Sequence, residues 1–298
     1  MKILLLGSAG QVGWELQRSL APLGQLVALD RRSTDFCGDL SNAQGLADTV
    51  DRIRPDVIVN AAAYTAVDKA ESDRETALAV NAVAPGVLAE AANRVGAWLV
   101  HYSTDYVFDG SGSRPWEETD STGPLSIYGS TKLAGEQRIA AACARHIILR
   151  TSWVYAARGG NFAKTMLRLA GERDRLTVVN DQFGAPTGAD LLADVTAHVT
   201  RSALAQGTPD AAGTYHLAAA GETSWHGYAR FVVAEALKAG RPLKTSPDTV
   251  DPVPASAFPT PAVRPGNSRL NTAKLRARFG LELPAWQSGV ARLLAEIT

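Results

Sequence analysis

The sequence predicts an α/β protein: a doubly wound parallel sheet of Rossmann type, with a smaller, irregular C-terminal lobe that binds substrate. Three observations lead there. Over residues 1–150, short apolar runs alternate with longer amphipathic stretches, the rhythm of βαβ units. A glycine-rich turn joins the first run to the first amphipathic stretch, as it does where a sheet receives a dinucleotide. Past Arg150 the alternation lapses and prolines accumulate.

In chain order, residues 3–6, 26–29, 57–59, 98–101 and 147–149 read as strands buried on both faces. Between them Gln11–Leu20, Ala43–Ile53, 75–95 and 130–144 carry helical spacing. Residues 1–150 are thus expected to form the dinucleotide-binding domain, and 151–298 the substrate lobe. Parts of 170–205 are expected to return to the first domain. In the second half, 161–170 and 190–203 read as helices, 177–180 as a strand and Trp286–Ile297 as the last helix. Seven prolines between 242 and 265 predict an extended loop that wraps a surface rather than entering a sheet.

Composition excludes several function classes. Thirty Lys+Arg balance thirty Asp+Glu, so no global field draws the chain to nucleic acid or to an anionic membrane. Cys37 and Cys143 are too few for a disulfide framework or a thiolate metal site, and the five histidines lack ligand spacing. The apolar opening 1–6 is cut short by Gly7, with Glu15, Gln17 and Arg18 close behind, unlike a signal peptide. The expectation is a cytoplasmic protein without a membrane span.

The glycine turn is Gly7-Ser8-Ala9-Gly10-Gln11-Val12-Gly13. Its spacing is G-x-x-G-x-x-G, and it opens a helix whose N-terminus favours a pyrophosphate. Asp30 closes the second strand, where an acid meets the adenosine ribose. Asp30 alone suits a 2′-hydroxyl, hence NADH; Arg31 and Arg32 beside it suit a 2′-phosphate, hence NADPH. Both cofactors stay open. Asp39-Leu40 lies in a loop near the adenine end, and Ala61-Ala62-Ala63-Tyr64-Thr65 follows the third strand, with small residues where a dinucleotide lies against the backbone.

The catalytic expectation rests on Tyr128 and Lys132. A spacing of four places them on one face of a helix. A phenol with a pKa of about 10 is a slow proton donor, and a nearby cation lowers that value by roughly 1–3. Thr104, at the carboxyl end of the fourth strand, can bond a substrate carbonyl and hold the phenol. Together these residues suit proton transfer to a carbonyl oxygen beside a nicotinamide.

With those residues in place, the chain resembles the extended short-chain dehydrogenase/reductases, and among them the dTDP-4-dehydrorhamnose reductase family. The segments that carry the resemblance are GSAGQVGWEL (7–16), VNAAAYTAVDKAES (59–72), HYSTDYVF (101–108), YGSTKLAGE (128–136), RTSWVY (150–155), NFAKTMLRL (161–169) and NDQFGAPTG (180–188). The Tyr-Lys pair and the glycines belong to the superfamily; the segments around Trp153, Asn161 and Gln182 are the narrower signal.

The resemblance implies reduction of the C4 ketone of dTDP-4-dehydro-L-rhamnose by NADPH or NADH, with Tyr128 as proton donor, Thr104 tuning it and Lys132 serving cofactor and pKa together. It implies cofactor contacts at Gly10, Gln11, Val12, Asp30, Asp39, Leu40, Ala63, Tyr64 and Thr65, and substrate contacts at Thr104, Asp105 and Trp153. Lys164 and Arg264 are candidates for the diphosphate. It also implies a homodimer with Mg²⁺ at the subunit interface, its ligands falling on Glu15, Asp190 and Glu296. Two alternatives remain: another nucleotide-sugar epimerase or reductase, and a non-catalytic subunit like the regulatory subunit of methionine adenosyltransferase. A dehydratase is disfavoured because Tyr106, not a second carboxylate, follows Asp105.

Overall fold

A computed structural model describes residues 1–206 and 209–297. Its centre is a six-stranded, all-parallel sheet made of β1 (Lys2–Leu6), β2 (Gln25–Leu29), β3 (Val57–Asn60), β4 (Trp98–Thr104), β5 (His146–Thr151) and β6 (Gly213–His216). The spatial order is β6-β5-β4-β3-β1-β2. The sheet is buried on both sides, which is why its strands are apolar runs rather than alternating ones. Within β1, Ile3 and Leu5 enter one core, Leu4 and Leu6 the other. The first core holds Leu16 and Leu20 of α1 (Gln11–Leu20) with Leu192, Ala193 and Val199 of the helix Ala189–Gln206. The second holds Leu46 and Val50 of α2 (Ala43–Ile53), Leu88 of α3 (Ala84–Val95) and Ile139 of α4 (Ile127–Ala142). The fold is therefore doubly wound, as expected. A third core lies beside the sheet, around Leu167, Tyr228, Val233, Trp286 and Leu293.

Four differences from the expected elements have physical causes. The helix expected over 75–95 is three consecutive pieces: Arg74–Leu78, a π-helical segment Ala79–Val83, and α3. Pro85 has no N–H to donate to the carbonyl of Asn81, so regular pairing lapses there. Helix α4 starts at Ile127 rather than at 130. The Ser126 side chain accepts from the Gly129 N–H at 3.1 Å, and Glu71 Oε1 accepts from the Ile127 N–H at 2.8 Å. That extra turn places Tyr128 at the mouth of the helix. The short strand β6 was not foreseen; four residues paired in parallel with β5 carry too little pattern to register.

Last, the proline-rich segment does enter a sheet. Val250–Val253 pairs in parallel with Leu176–Val179. Only two strands make up that sheet, so Pro252 can leave its donorless side unpaired.

Helix α4 sits unusually close to its neighbours. A Cβ on Gly135 would lie 2.2 Å from the Asn81 carbonyl oxygen, which Pro85 cannot bond. Gly135→Ala therefore forces backbone apart and is expected to destabilise the protein by about 1–3 kcal/mol. Urea unfolding checks this; an unchanged midpoint would show that the helix can back away freely.

Candidate active site

The strand order turns back on itself between β1 and β3, and that is where a ligand crevice opens in such sheets. Gly7 follows β1 with φ +85°, and its N–H and that of Ser8 both donate to the Leu29 carbonyl. A Cβ on Gly7 would stand 2.7 Å from the Ala62 nitrogen, and one on Gly13 only 2.0 Å from the Gly7 carbonyl oxygen. The turn therefore closes only with glycine at both places. Gly10 is the N-cap of α1 and offers no side-chain cap, so the N–H groups of Gln11, Val12 and Gly13 face the crevice mouth without a capping oxygen. Gln11 and Ala9 are reached from the other lobe, by Asn161 and Arg158 respectively.

Asp30 is half-buried at the end of β2, and its Oδ1 accepts from the Arg32 N–H at 2.7 Å; Arg31 and Arg32 are exposed. Asp39 is similarly engaged by the N–H and hydroxyl of Ser41, with Leu40 buried beside it. Ala63, Tyr64 and Thr65 lie beyond β3. Asn81, fully buried in the π-helical segment, holds that loop from both sides. Its Oδ1 accepts from the Tyr64 N–H at 2.9 Å, and its Nδ2 donates to the Tyr64 carbonyl at 3.1 Å. Sequence reasoning missed Asn81. The only available signal was an asparagine inside an otherwise apolar helical run, about one turn before a proline.

At the carboxyl end of β4, the Thr104 hydroxyl lies beside the Tyr128 phenol, donates to Asp105 Oδ1 at 3.1 Å and accepts from the Tyr106 N–H at 3.2 Å. Tyr128 is held by packing of its own helix, since a Cβ on Gly129 would meet the Tyr106 carbonyl oxygen at 2.2 Å. The Tyr106 ring stands edge-on to the Tyr128 ring, centroids 5.5 Å apart. Beyond Tyr106 opens a cavity of about 540 Å³ lined by Trp153, Gln182, Trp225, Phe258 and Arg264. Trp153 takes φ +50°, a left-handed conformation costly for a bulky residue, and its ring stacks on Trp225 at 3.6 Å. The stacking partner Trp225 was not foreseen from the sequence. Arg264 is paired twofold with Asp68 at 2.8 and 3.0 Å. Lys164 donates to the carbonyls of Ala157 and Gly159 and lies outside the cavity lining.

Burial dominates the electrostatics. It pushes the Tyr128 phenol up to about 12; the Thr104 hydrogen bond pulls it down, and the Asp105 charge adds to the rise. This corrects the expectation that Lys132 lowers that pKa. Lys132 Nζ instead donates to the Tyr102 carbonyl at 2.6 Å and meets His101 Nε2 at 3.1 Å, and its own pKa falls to about 8 because it is buried. Near neutrality Tyr128 is a protonated phenol. Burial likewise raises Asp105 to about 6, against the pull of Ser268 and Thr104.

The residues expected to hold Mg²⁺ do not make a metal centre in the chain. Glu15 pairs with Arg18, Asp190 accepts from the Leu191 N–H and faces Arg292 at 3.8 Å, and Glu296 is exposed. No group of three or more His, Cys, Asp or Glu among the described residues could hold a metal ion.

The family model described as the RmlD substrate binding domain matches residues 1–298. A dTDP-4-dehydrorhamnose reductase of Escherichia coli K12 is 62% identical over 297 residues, covering 100% of this chain and 98% of that protein. One of Burkholderia thailandensis is 51% identical, covering 100% and 99%. Among solved structures, the dTDP-4-dehydrorhamnose reductase of Bacillus anthracis in complex with NADP superposes with a TM-score of 0.88 at 34% identity, over 99% of each chain. That of Clostridium acetobutylicum superposes with a TM-score of 0.89 at 35% identity, over 100% of this chain and 99% of the other.

Asp105 makes stability depend on pH. Its folded pKa of about 6 lies above the unfolded value of about 3.9, so between those limits the folded chain keeps a proton that the unfolded chain has lost. Stability therefore falls as pH rises through that window. Asp105→Asn is expected to remove the fall and to be more stable at neutral pH by up to about 2–3 kcal/mol, with no gain at acid pH. Urea titrations at both ends of the window check this, and equal slopes for both proteins would contradict it.

Proposed function

The chain belongs to the dTDP-4-dehydrorhamnose reductase family, and from that premise we propose that it reduces the C4 ketone of dTDP-4-dehydro-L-rhamnose to dTDP-L-rhamnose, within dTDP-rhamnose biosynthesis. The hydride comes from NADPH or NADH. The observation that carries the reading is the placement of Tyr128: beside Thr104 at the carboxyl end of β4, edge-on to Tyr106 at the border of an aromatic-walled cavity.

In this reading the pyrophosphate rests on Gly7, Gly10, Gln11, Val12 and Gly13, where uncapped N–H groups point outward. Asp30, Asp39 and Leu40 flank the adenosine, and Ala63, Tyr64 and Thr65 flank the middle of the dinucleotide. Lys132 bonds the nicotinamide ribose. Hydride adds to C4 while the protonated Tyr128 phenol gives its proton to the developing alkoxide, with Thr104 bonding both oxygens. The raised pKa supports a donor, since the proton is in place at neutral pH. Asp105 and Trp153 position the sugar, and Trp225 keeps Trp153 upright. Tyr106, edge-on to Tyr128 where a dehydratase would present a second carboxylate, supports reduction.

The dinucleotide domain takes 1–150 with the returning part of 170–205, and 151–298 supplies the substrate lobe. The packing of Leu192 and Val199 beneath the sheet supports that return. A homodimer and a cytoplasmic setting belong to the same reading; no described helix is long and apolar enough to cross a membrane.

Mixing the protein with dTDP-4-dehydrorhamnose and each reduced nicotinamide in turn is expected to consume cofactor absorbance with at least one of them. Absence of turnover with both would end the proposal. Tyr128→Phe is expected to keep dinucleotide affinity and lose kcat by roughly 10²–10⁴-fold. A variant that turns over at near-normal rate would take the phenol out of the mechanism.

A further inference from the structure

Lys132 is 2% exposed, and its nitrogen has two neighbours with hydrogen-bonding capacity: the Tyr102 carbonyl at 2.6 Å and His101 Nε2 at 3.1 Å. Which partner donates to which follows from hydrogen-bond polarity, starting two residues away. The Ala62 backbone N–H donates to Asn60 Oδ1 at 3.1 Å. A backbone N–H has no other role, so this contact assigns the Asn60 amide: oxygen toward Ala62, NH₂ toward His101. Asn60 Nδ2 stands 3.1 Å from His101 Nδ1, so Nδ1 must be the acceptor. His101 is 1% exposed, and burial, the largest influence on it, pushes its pKa well below the ordinary value, so the ring is neutral. Its one proton is then on Nε2, aimed at Lys132. An ammonium has only donors and cannot meet that N–H; an amine has a lone pair and can.

We propose that Asn60 and His101 act as positioning residues that present an N–H to Lys132, hold it as the neutral amine in the unliganded protein, and so make dinucleotide binding take up a proton. The inference rests on the cofactor reading of the site. When Lys132 leaves His101 for the cofactor ribose, the amine lone pair bonds a proton from solvent and becomes an ammonium; His101 keeps its own proton throughout.

The charged groups around Lys132 do not offset this arrangement. On α4, Glu136 is taken by Arg150 of β5 in bonds of 2.7 to 3.2 Å. It still raises the Lys132 pKa somewhat, less than burial lowers it. Tyr128 on the same helix is a protonated phenol, and Asp105 beyond β4 bonds Thr104. From β4 the Tyr102 phenol turns away to Thr196. The burial-lowered value of about 8 and the opposed N–H act in the same direction.

Two measurements test the proposal. The ¹⁵N spectrum of histidine-labelled, unliganded protein is expected to show His101 protonated at Nε2 and bare at Nδ1. A proton on Nδ1 overturns the inference whether or not the protein turns over any substrate. Calorimetric titration with NADPH and NADH in buffers of differing ionisation heat, about one pH unit above the Lys132 value of about 8, is expected to show uptake approaching one proton per cofactor bound.

In Asn60→Asp the carboxylate accepts from both Ala62 and Nδ1–H, the tautomer inverts, and Lys132 is already an ammonium. Uptake is then expected to vanish while binding persists. Zero uptake in the unaltered protein, or equal uptake in both, would overturn the proposal. If neither nucleotide binds, the cofactor reading fails, and the His101 tautomer alone decides the resting state of Lys132.

Discussion

The site depends on how closely α4 can approach the backbone around it. Two glycines on that helix, Gly129 and Gly135, face carbonyl oxygens of Tyr106 and Asn81 at separations that leave no room for a Cβ. The helix is seated on backbone rather than on side chains, so its rotation and height are set within the tolerance of van der Waals contact. Tyr128 and Lys132 inherit that precision. One side chain emerges beside Thr104 at the end of β4, and the other is driven under the sheet edge onto the Tyr102 carbonyl. The Asn81 carbonyl meets Gly135 where Pro85 interrupts regular pairing, and the Asn81 side chain fixes the loop after β3. A break in one helix thus seats a second and shapes the crevice between them.

The seating also accounts for the electrostatics. A helix pressed this close excludes water from its contact face, and desolvation then outweighs every local charge. Tyr128, Asp105 and Lys132 all move toward their neutral forms, two upward and one downward. A reductase that supplies a proton as hydride arrives has use for a phenol that is fully protonated beforehand. The opposing lobe contributes shape. The strained backbone at Trp153 is held by its stack on Trp225, and Gly184 leaves space for that ring, since a Cβ there would approach Trp153 to 2.8 Å.

Much of this was legible in the residues. The five apolar runs, the turn from Gly7 to Gly13, and the order of Thr104, Tyr128 and Lys132 reflect local rules of period and backbone geometry, which act within a few residues. Other features were not legible. The π-helical segment needed the coincidence of Pro85 with an incoming helix. The strand β6 is four residues long and forms because β5 offers an edge. Lys132 was expected to lower the phenol pKa, yet Nζ turns to His101 and Tyr102, a choice made by burial. Within one chain, Glu15 and Asp190 face arginines and Glu296 faces solvent.

The sequence by itself determined the class of chemistry and the architecture that carries it, because strand burial, glycine turns and a tyrosine four residues before a lysine are patterns written along the chain. Only the tertiary structure decided the protonation of the site. That depends on which groups lose water and which donors face which acceptors, and Asn60, His101 and Lys132 come from three different elements that meet only when the sheet and α4 close together.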